Sequence, residues 1–176
     1  MPTEQAIRGR ARGRPKQIQI RIGKVEQSII SAALRFFKQG HRPLAAGNKR
    51  EAAFTAEIAK QCPTTGYLAK YPIRRKPEKA TLFGKRYFPD LWISGPNGKP
   101  LLAIEVKKLA GHHKASFKEA LAQAAVYSTQ YKAVALLLYD YSPEKSYKLR
   151  MRPGNCAETR LSGKLRSIQR VHLLVL

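Results

Sequence analysis

Three residues carry the chemistry that this chain could perform. Phe88-Pro89-Asp90-Leu91-Trp92-Ile93 is followed, after a short turn, by Leu102-Ala103-Ile104-Glu105-Val106-Lys107. Side chains alternate across a β-strand, so Ile104 and Val106 take one face while Glu105 and Lys107 take the other. The intervening Gly95-Pro96-Asn97-Gly98-Lys99 has the residues of a tight hairpin, and such a hairpin sets Asp90 beside that pair. Two carboxylates and one ammonium at a sheet edge suit a hard divalent cation that keeps several of its waters. The chemistry of that grouping is metal-assisted hydrolysis of a phosphodiester: a cation lowers the pKa of a bound water, and a lysine steadies growing negative charge. Without the metal, Asp90 and Glu105 repel each other and Lys107 offsets this only in part. The plainer alternative is an exposed Glu105–Lys107 pair of little consequence, but the apolar stretch around Glu105 argues against solvation there.

The carboxylates stand out because acids are rare. The 176 residues hold 34 Lys and Arg against 11 Asp and Glu, a formal charge of +23, and Asp90 and Asp140 are the only aspartates. The excess runs the length of the chain: residues 1–24 hold seven basic residues and one acidic, and residues 141–176 hold eight and two. Such a balance points to a polyanionic partner, with nucleic acid the commonest, but it does not distinguish packaging proteins from enzymes. Apolar residues make up 43%, enough for a core and too many for global disorder. No apolar run approaches the ~20 residues of a membrane span, so no membrane association is expected. The basic N-terminus lacks an apolar segment behind it, so no secretory leader is expected. Two cysteines, Cys62 and Cys156, make neither a disulfide scaffold nor a four-cysteine zinc site. An intracellular protein, cytoplasmic or nucleoid-associated, is the expectation.

The elements that must position the site read as follows. Residues 1–16 form a basic arm rich in Arg, Gly and Pro. Residues 17–47 form a strand-helix extension: Gln17 to Ile22 alternates as a strand, and Val25 to Gln39 has helical spacing ending at Gly40. Residues 48–140 form the core, which starts with a helix from an Asn48 cap through Gln61. Strands follow at Tyr67 to Arg74, Arg86 to Ser94 and Pro100 to Lys108. Ala115 to Lys132 is helical, and Ala133 to Asp140 is an apolar run typical of a strand buried on both faces. Residues 141–176 complete the domain with weaker strands at Ser146 to Arg152 and Ile168 to Leu176. The fold class is α/β.

Pro89-Asp90 with Glu105-Val106-Lys107, on two adjacent strands, resembles the motif of the PD-(D/E)XK nuclease superfamily. The order of helix, three-stranded meander, helix and strand is similar to that superfamily's restriction-endonuclease-like core. The resemblance implies a Mg²⁺-dependent deoxyribonuclease, with Mn²⁺ able to substitute. Asp90 and Glu105 would be metal ligands, Lys107 the catalytic lysine, and a Glu of the preceding helix a further ligand. Glu51 is favoured for that role over Glu57. Gln123 and Tyr127, four apart and so on one helix face, resemble the QxxxY element of RecB-like nucleases, with Gln123 placed at the catalytic centre. Arg12-Gly13-Arg14-Pro15-Lys16 resembles the core of an AT-hook, in which Arg12 and Arg14 would follow a narrow A·T minor groove. Arg74, Arg75, Lys85, Arg86, Lys108 and Tyr127 are the other candidates for DNA contact.

The implied activity is first an endonuclease, restriction-like or junction-resolving, acting on DNA as a homodimer. A RecB-like end-processing exonuclease stays open, as does a non-catalytic DNA-binding protein of ribbon-helix-helix type built on residues 17–60. No phosphate-binding Gly-x-x-x-x-Gly-Lys-Ser/Thr occurs, so a helicase or recombination partner would be a separate chain. The adjacent His112 and His113 read as a solvated loop before they read as a site.

Overall fold

The computed structural model describes residues 21–40, 51–75, 79–82, 84–109, 114–141, 162–167 and 170–176, with only the backbone for Glu51 and residues 114–116. The arm over 1–16, with Arg12 and Arg14, lies outside these residues. So do most of the strand expected over 17–22, Asn48, His112 and His113, the strand expected over 146–152, and Cys156.

Helix α1 (Lys24–Arg35) starts where Glu26 folds back to accept the Gly23 N–H at 2.9 Å, satisfying one backbone donor that a helix start leaves over. Its buried stripe is Ile29, Ile30 and Ala33, and it runs on as a π-helix over Phe36–Gly40. Helices α2 (Glu51–Lys60) and α3 (Gly66–Lys70) follow, then β1 (Ala80–Leu82), β2 (Lys85–Tyr87), β3 (Leu91–Ser94) and β4 (Pro100–Leu109). Helix α4 (Lys114–Tyr127), β5 (Ala133–Asp140) and β6 (Val171–Val175) complete the order, with a short helical segment over 162–167 before β6.

The main sheet has the order β3-β4-β5-β6, with β3 antiparallel to β4 and the remaining pairs parallel. It is a mixed sheet, and α4 lies in the connection between the parallel strands β4 and β5. The β3–β4 turn is built as its residues suggest. Gly98 takes a left-handed φ of 74° that a side chain would resist. The Gly95 N–H donates to the Lys99 carbonyl at 2.8 Å, and Asn97 Oδ1 accepts the Lys99 N–H at 3.1 Å.

Helices cover both faces of the sheet. On one face, Ile29, Phe37, Phe54 and Ile58 pack on Leu102, Ile104, Val106, Ala135 and Leu137. On the other, Ala120, Ala124 and Tyr127 of α4 pack on Ala103, Val134, Leu136 and Val171. All eight residues of β5 are therefore buried, which is why its sequence is apolar throughout instead of alternating.

Several expected elements differ. Tyr67 to Arg74 is mostly α3, because Tyr67-Leu68-Ala69-Lys70 are adequate helix formers and Pro72 forces Tyr71 out of the helix. What is left of that strand is one antiparallel bridge, Arg74 to Trp92, with N···O distances of 2.8 and 3.0 Å. Arg86 to Ser94 is not one strand. Pro89 has no N–H to give a ladder, so β2 pairs separately with β1, a strand the Lys- and Pro-rich link had concealed. Helix α4 stops at Tyr127 instead of Lys132. There Ser128 and Thr129 bond their hydroxyls to the Ala125 and Val126 carbonyls, each at 2.7 Å, and the chain turns. The helical segment over 162–167 had no sequence expectation.

One ion pair ties α1 to the far end of the sheet. Lys132 Nζ lies 2.8 Å from each carboxylate oxygen of Glu26. Partial burial works against ionisation of Glu26, yet the Lys132 hydrogen bond and the Gly23 amide prevail and hold its pKa below the usual glutamate value. A depressed carboxylate pKa adds stability above the unfolded-state value, and that stability is lost as pH falls through the folded one. Glu26→Gln is therefore expected to cost about 1 kcal/mol at neutral pH. The difference from wild type should close below the ordinary glutamate pKa, as read by urea denaturation across pH.

Candidate metal centre at the β3–β4 edge

The β3–β4 ladder pairs Leu91 with Ile104 and Trp92 with Ala103. One residue further on, the same register sets Asp90 opposite Glu105. Backbone pairing has ended there, and the Asp90 side chain takes over: its Oδ2 accepts the Val106 N–H at 2.8 Å. The hairpin thus fixes Asp90 against the strand that carries Glu105 and Lys107.

Glu105 lies on the α4 side of the sheet and is 2% exposed. Its Oε1 is 3.1 Å from Lys107 Nζ, whose side chain is 12% exposed. Its Oε2 is 3.2 Å from the Tyr127 hydroxyl, which is also 2.9 Å from the Phe88 carbonyl. A phenol has one proton. The two acceptors therefore compete for it, and an ionised Glu105 draws it away from the neutral Phe88 carbonyl. Burial, then the Asp90 charge, raise the Glu105 pKa to about 7, against the pull of Lys107 and of the Tyr127 hydrogen bond. Burial and the Glu105 charge push the Tyr127 hydroxyl far above its ordinary pKa, so it stays a donor.

These are two carboxylates that resist being charged together, in a protein otherwise short of acid. A divalent cation removes that conflict. Mg²⁺ commonly takes one or two protein carboxylates and keeps waters elsewhere, so Asp90 and Glu105 fit it as donors. Among the described residues no group of three or more His, Cys, Asp and Glu comes together, and Glu57, half-buried on α2, does not join the pair. Glu51 opens α2, the helix whose Phe54 and Ile58 pack on the face opposite Glu105.

The other expected residues fall into place unevenly. Tyr127 touches the centre directly. Gln123 lies one helical turn earlier on α4, and its Oε1 is buried with no hydrogen-bond partner among the described residues. Arg74 and Arg75 are exposed, with the Arg74 guanidinium 5.9 Å from the Trp92 ring centroid. Lys85 and Arg86 are exposed on β2, which leads into Phe88-Pro89-Asp90. Lys108 alternates to the opposite face from Lys107, and its ammonium is 5.2 Å from the Tyr141 ring centroid. Cys62 packs against the core, as a small apolar residue would.

Two features escaped the sequence reading. The Phe88 carbonyl, clamped by Tyr127, holds the approach to Asp90, and a backbone acceptor leaves no mark in a sequence. Asp140, 2% exposed, ends β5 on the Lys107 face of the sheet, since Lys107 pairs with Leu138 and Leu109 with Asp140. An acid closing an apolar run was the available signal. Comparison with known proteins finds no matching family model and no significant match among curated proteins. Among the described residues, no helix is long and apolar enough to cross a membrane.

Tyr127→Phe tests the clamp. The Tyr127 hydrogen bond lowers the Glu105 pKa, so its loss should move that pKa further up. Divalent-ion affinity should then need a higher pH to reach the same value, with the midpoint of a Mn²⁺ titration series displaced upward by a few tenths of a pH unit to about one. An unchanged midpoint would show that Tyr127 does not act on Glu105.

Proposed function

We propose that the protein is a metal-dependent deoxyribonuclease, an endonuclease of PD-(D/E)XK type, with its centre at Asp90, Glu105 and Lys107. The observation that carries this reading is a buried glutamate facing an aspartate across a hairpin, with a lysine 3.1 Å away. The sheet supports it as well: a bridged Arg74, then β3, β4 and β5, with α4 in the β4–β5 connection, follow the order of the restriction-endonuclease-like core. When bound, the metal supplies a more acidic water and neutralises charge on the phosphate. Asp90 and Glu105 hold it. Lys107 keeps Glu105 ionised and, at 12% side-chain exposure, carries a positive charge to the mouth of the site, where it orients the attacking water. Tyr127 fixes the Glu105 carboxylate. The exposed Arg74, Arg75, Lys85 and Arg86 hold the DNA backbone. A non-catalytic DNA-binding module accounts for the charge of +23, but it leaves the buried Glu105 and the Asp90 beside it without a use.

A RecB-like end-processing exonuclease is the second reading, favoured by the Tyr127–Glu105 contact and by the buried Gln123 oxygen on the same helix. Linear, nicked, branched and circular DNAs with Mg²⁺ separate the two. Cleavage of covalently closed circles supports the endonuclease, and degradation restricted to linear DNA supports the exonuclease. On either reading DNA affinity should drop steeply with salt. A fall of roughly 10³ or more between about 50 and 200 mM is expected if six or more phosphates are contacted, as measured by fluorescence anisotropy with Ca²⁺ in place of Mg²⁺.

A further inference from the structure

Two cationic side chains and an imidazole, from three separate elements, line one small cavity on the sheet face opposite Glu105. Lys38 comes from the π-helix, Arg166 from the segment over 162–167 and His172 from β6. Leu34, Leu173 and Leu174 complete the lining of a space of about 190 Å³. His172 pairs with Ala135 of β5, and Ala135 belongs to the core layer of Phe54 and Ile58. The imidazole therefore lies on the α1 and α2 side, at the opposite edge of the sheet from β3, and the sheet separates it from the candidate metal centre.

Among the described residues no carboxylate lines this cavity, and neither Lys38 nor Arg166 has an ion-pair partner. Groups of one sign that converge without a counter-charge raise each other's energy. The effect reaches His172, whose pKa is held below the ordinary histidine value by burial first, then by Arg166 and Lys38. The result is a concave site with two permanent cations and an imidazole able to donate one N–H. That donor set is complementary to the oxygens of a tetrahedral oxyanion, for which Arg and Lys make short charge-assisted hydrogen bonds.

We propose that the cavity bounded by Lys38, Arg166 and His172 is a phosphate-binding site, separate from the Asp90 centre and independent of any reaction there. A nucleic-acid backbone and free inorganic phosphate offer the same chemistry, and the charge of +23 makes the backbone the favoured source. A duplex held there would be gripped on the side of the sheet away from the carboxylates, so one strand of contacts would run around the β6 edge.

The test follows the four histidine ring signals of the full chain by NMR, with His172→Gln assigning the relevant one. Inorganic phosphate should shift the His172 signal saturably and raise its pKa by about one unit, since a nearby anion stabilises imidazolium. His41, His112 and His113 serve as controls in the same molecule. Arg166→Gln and Lys38→Gln, both at exposed positions, should each weaken the phosphate effect by about tenfold. A short DNA duplex that produces the same His172 shift, and is displaced by phosphate, identifies the backbone as the source. A response to phosphate but not to duplex leaves the site standing as one for free phosphate. The proposal is overturned by the absence of a saturable His172 shift with either ligand. It is equally overturned if all four histidines shift alike, or if the shift survives both charge removals.

Discussion

Lys107→Ala is expected to lower DNA cleavage by about 10³ or more while changing DNA affinity by less than about tenfold. The asymmetry follows from where the lysine sits. Its ammonium is 3.1 Å from Glu105 in a pocket that admits little water, so under the proposed nuclease function its charge would act on the site and on the phosphate in the transition state. Under the same proposal the many exposed basic residues would supply the ground-state grip. Asp90→Asn should lose cleavage to a similar extent by another route, because a neutral amide is a poor ligand for a hard cation. The two variants separate in a Mn²⁺ titration. Asp90→Asn should bind the ion at least about tenfold more weakly. Lys107→Ala should keep metal affinity at high pH and lose it sooner as pH falls, because the lysine charge is what draws the Glu105 pKa down. Near-ultraviolet circular dichroism of both variants checks that the fold survives.

The second large effect is a gain in stability. Glu105→Gln should make the metal-free protein more stable at about pH 8 while abolishing cleavage. Burial and Asp90 raise the folded-state pKa of Glu105 to about 7, above its value in the unfolded chain. Below the unfolded value both states hold the proton and no penalty exists. As pH rises through the folded value the native state must carry a buried carboxylate, and the associated stability is lost. The shift corresponds to a ceiling of about 3 kcal/mol, and the lost Lys107 pairing reduces it. Denaturation in EDTA should show the variant ahead of wild type by roughly 1–3 kcal/mol at about pH 8 and level with it at about pH 4. Adding Mg²⁺ should reverse the order at about pH 8, since only wild type gains from a ligand that binds the native state. A variant less stable than wild type under all these conditions would mean that Glu105 is there to hold the fold.

The parts of this structure legible in the sequence are those set by local rules. β5 is visible as an unbroken apolar run, the β3–β4 turn through its Gly and Asn, and the juxtaposition of Asp90 with Glu105 through the register that such a turn imposes. The resemblance of Gln123 and Tyr127 to a QxxxY element is what put Tyr127 near the centre; the spacing of four says only that the two share a helix face. What was not legible depends on distant partners. The Tyr127–Phe88 bond joins residues 39 apart and the Glu26–Lys132 pair residues 106 apart, and no spacing rule connects them. The residues from Tyr67 to Arg74 read as a strand because Tyr and Ile favour one, but Pro72 divides them and leaves only Ile73 and Arg74 to extend. Pro89 divides the next stretch in the same way, and that break is what turns the chain from the β1–β2 pair into the main sheet at Asp90.

The most direct measurement incubates purified protein with supercoiled plasmid and Mg²⁺ or Mn²⁺, beside Asp90→Asn and Lys107→Ala. The expected result is metal-dependent nicking or linearisation by wild type, suppressed by EDTA and lost in both variants. Wild-type protein that binds the plasmid yet leaves it, and linear, nicked and branched DNA, uncut at any divalent-ion concentration would contradict the assignment of Asp90, Glu105 and Lys107 as a nuclease centre.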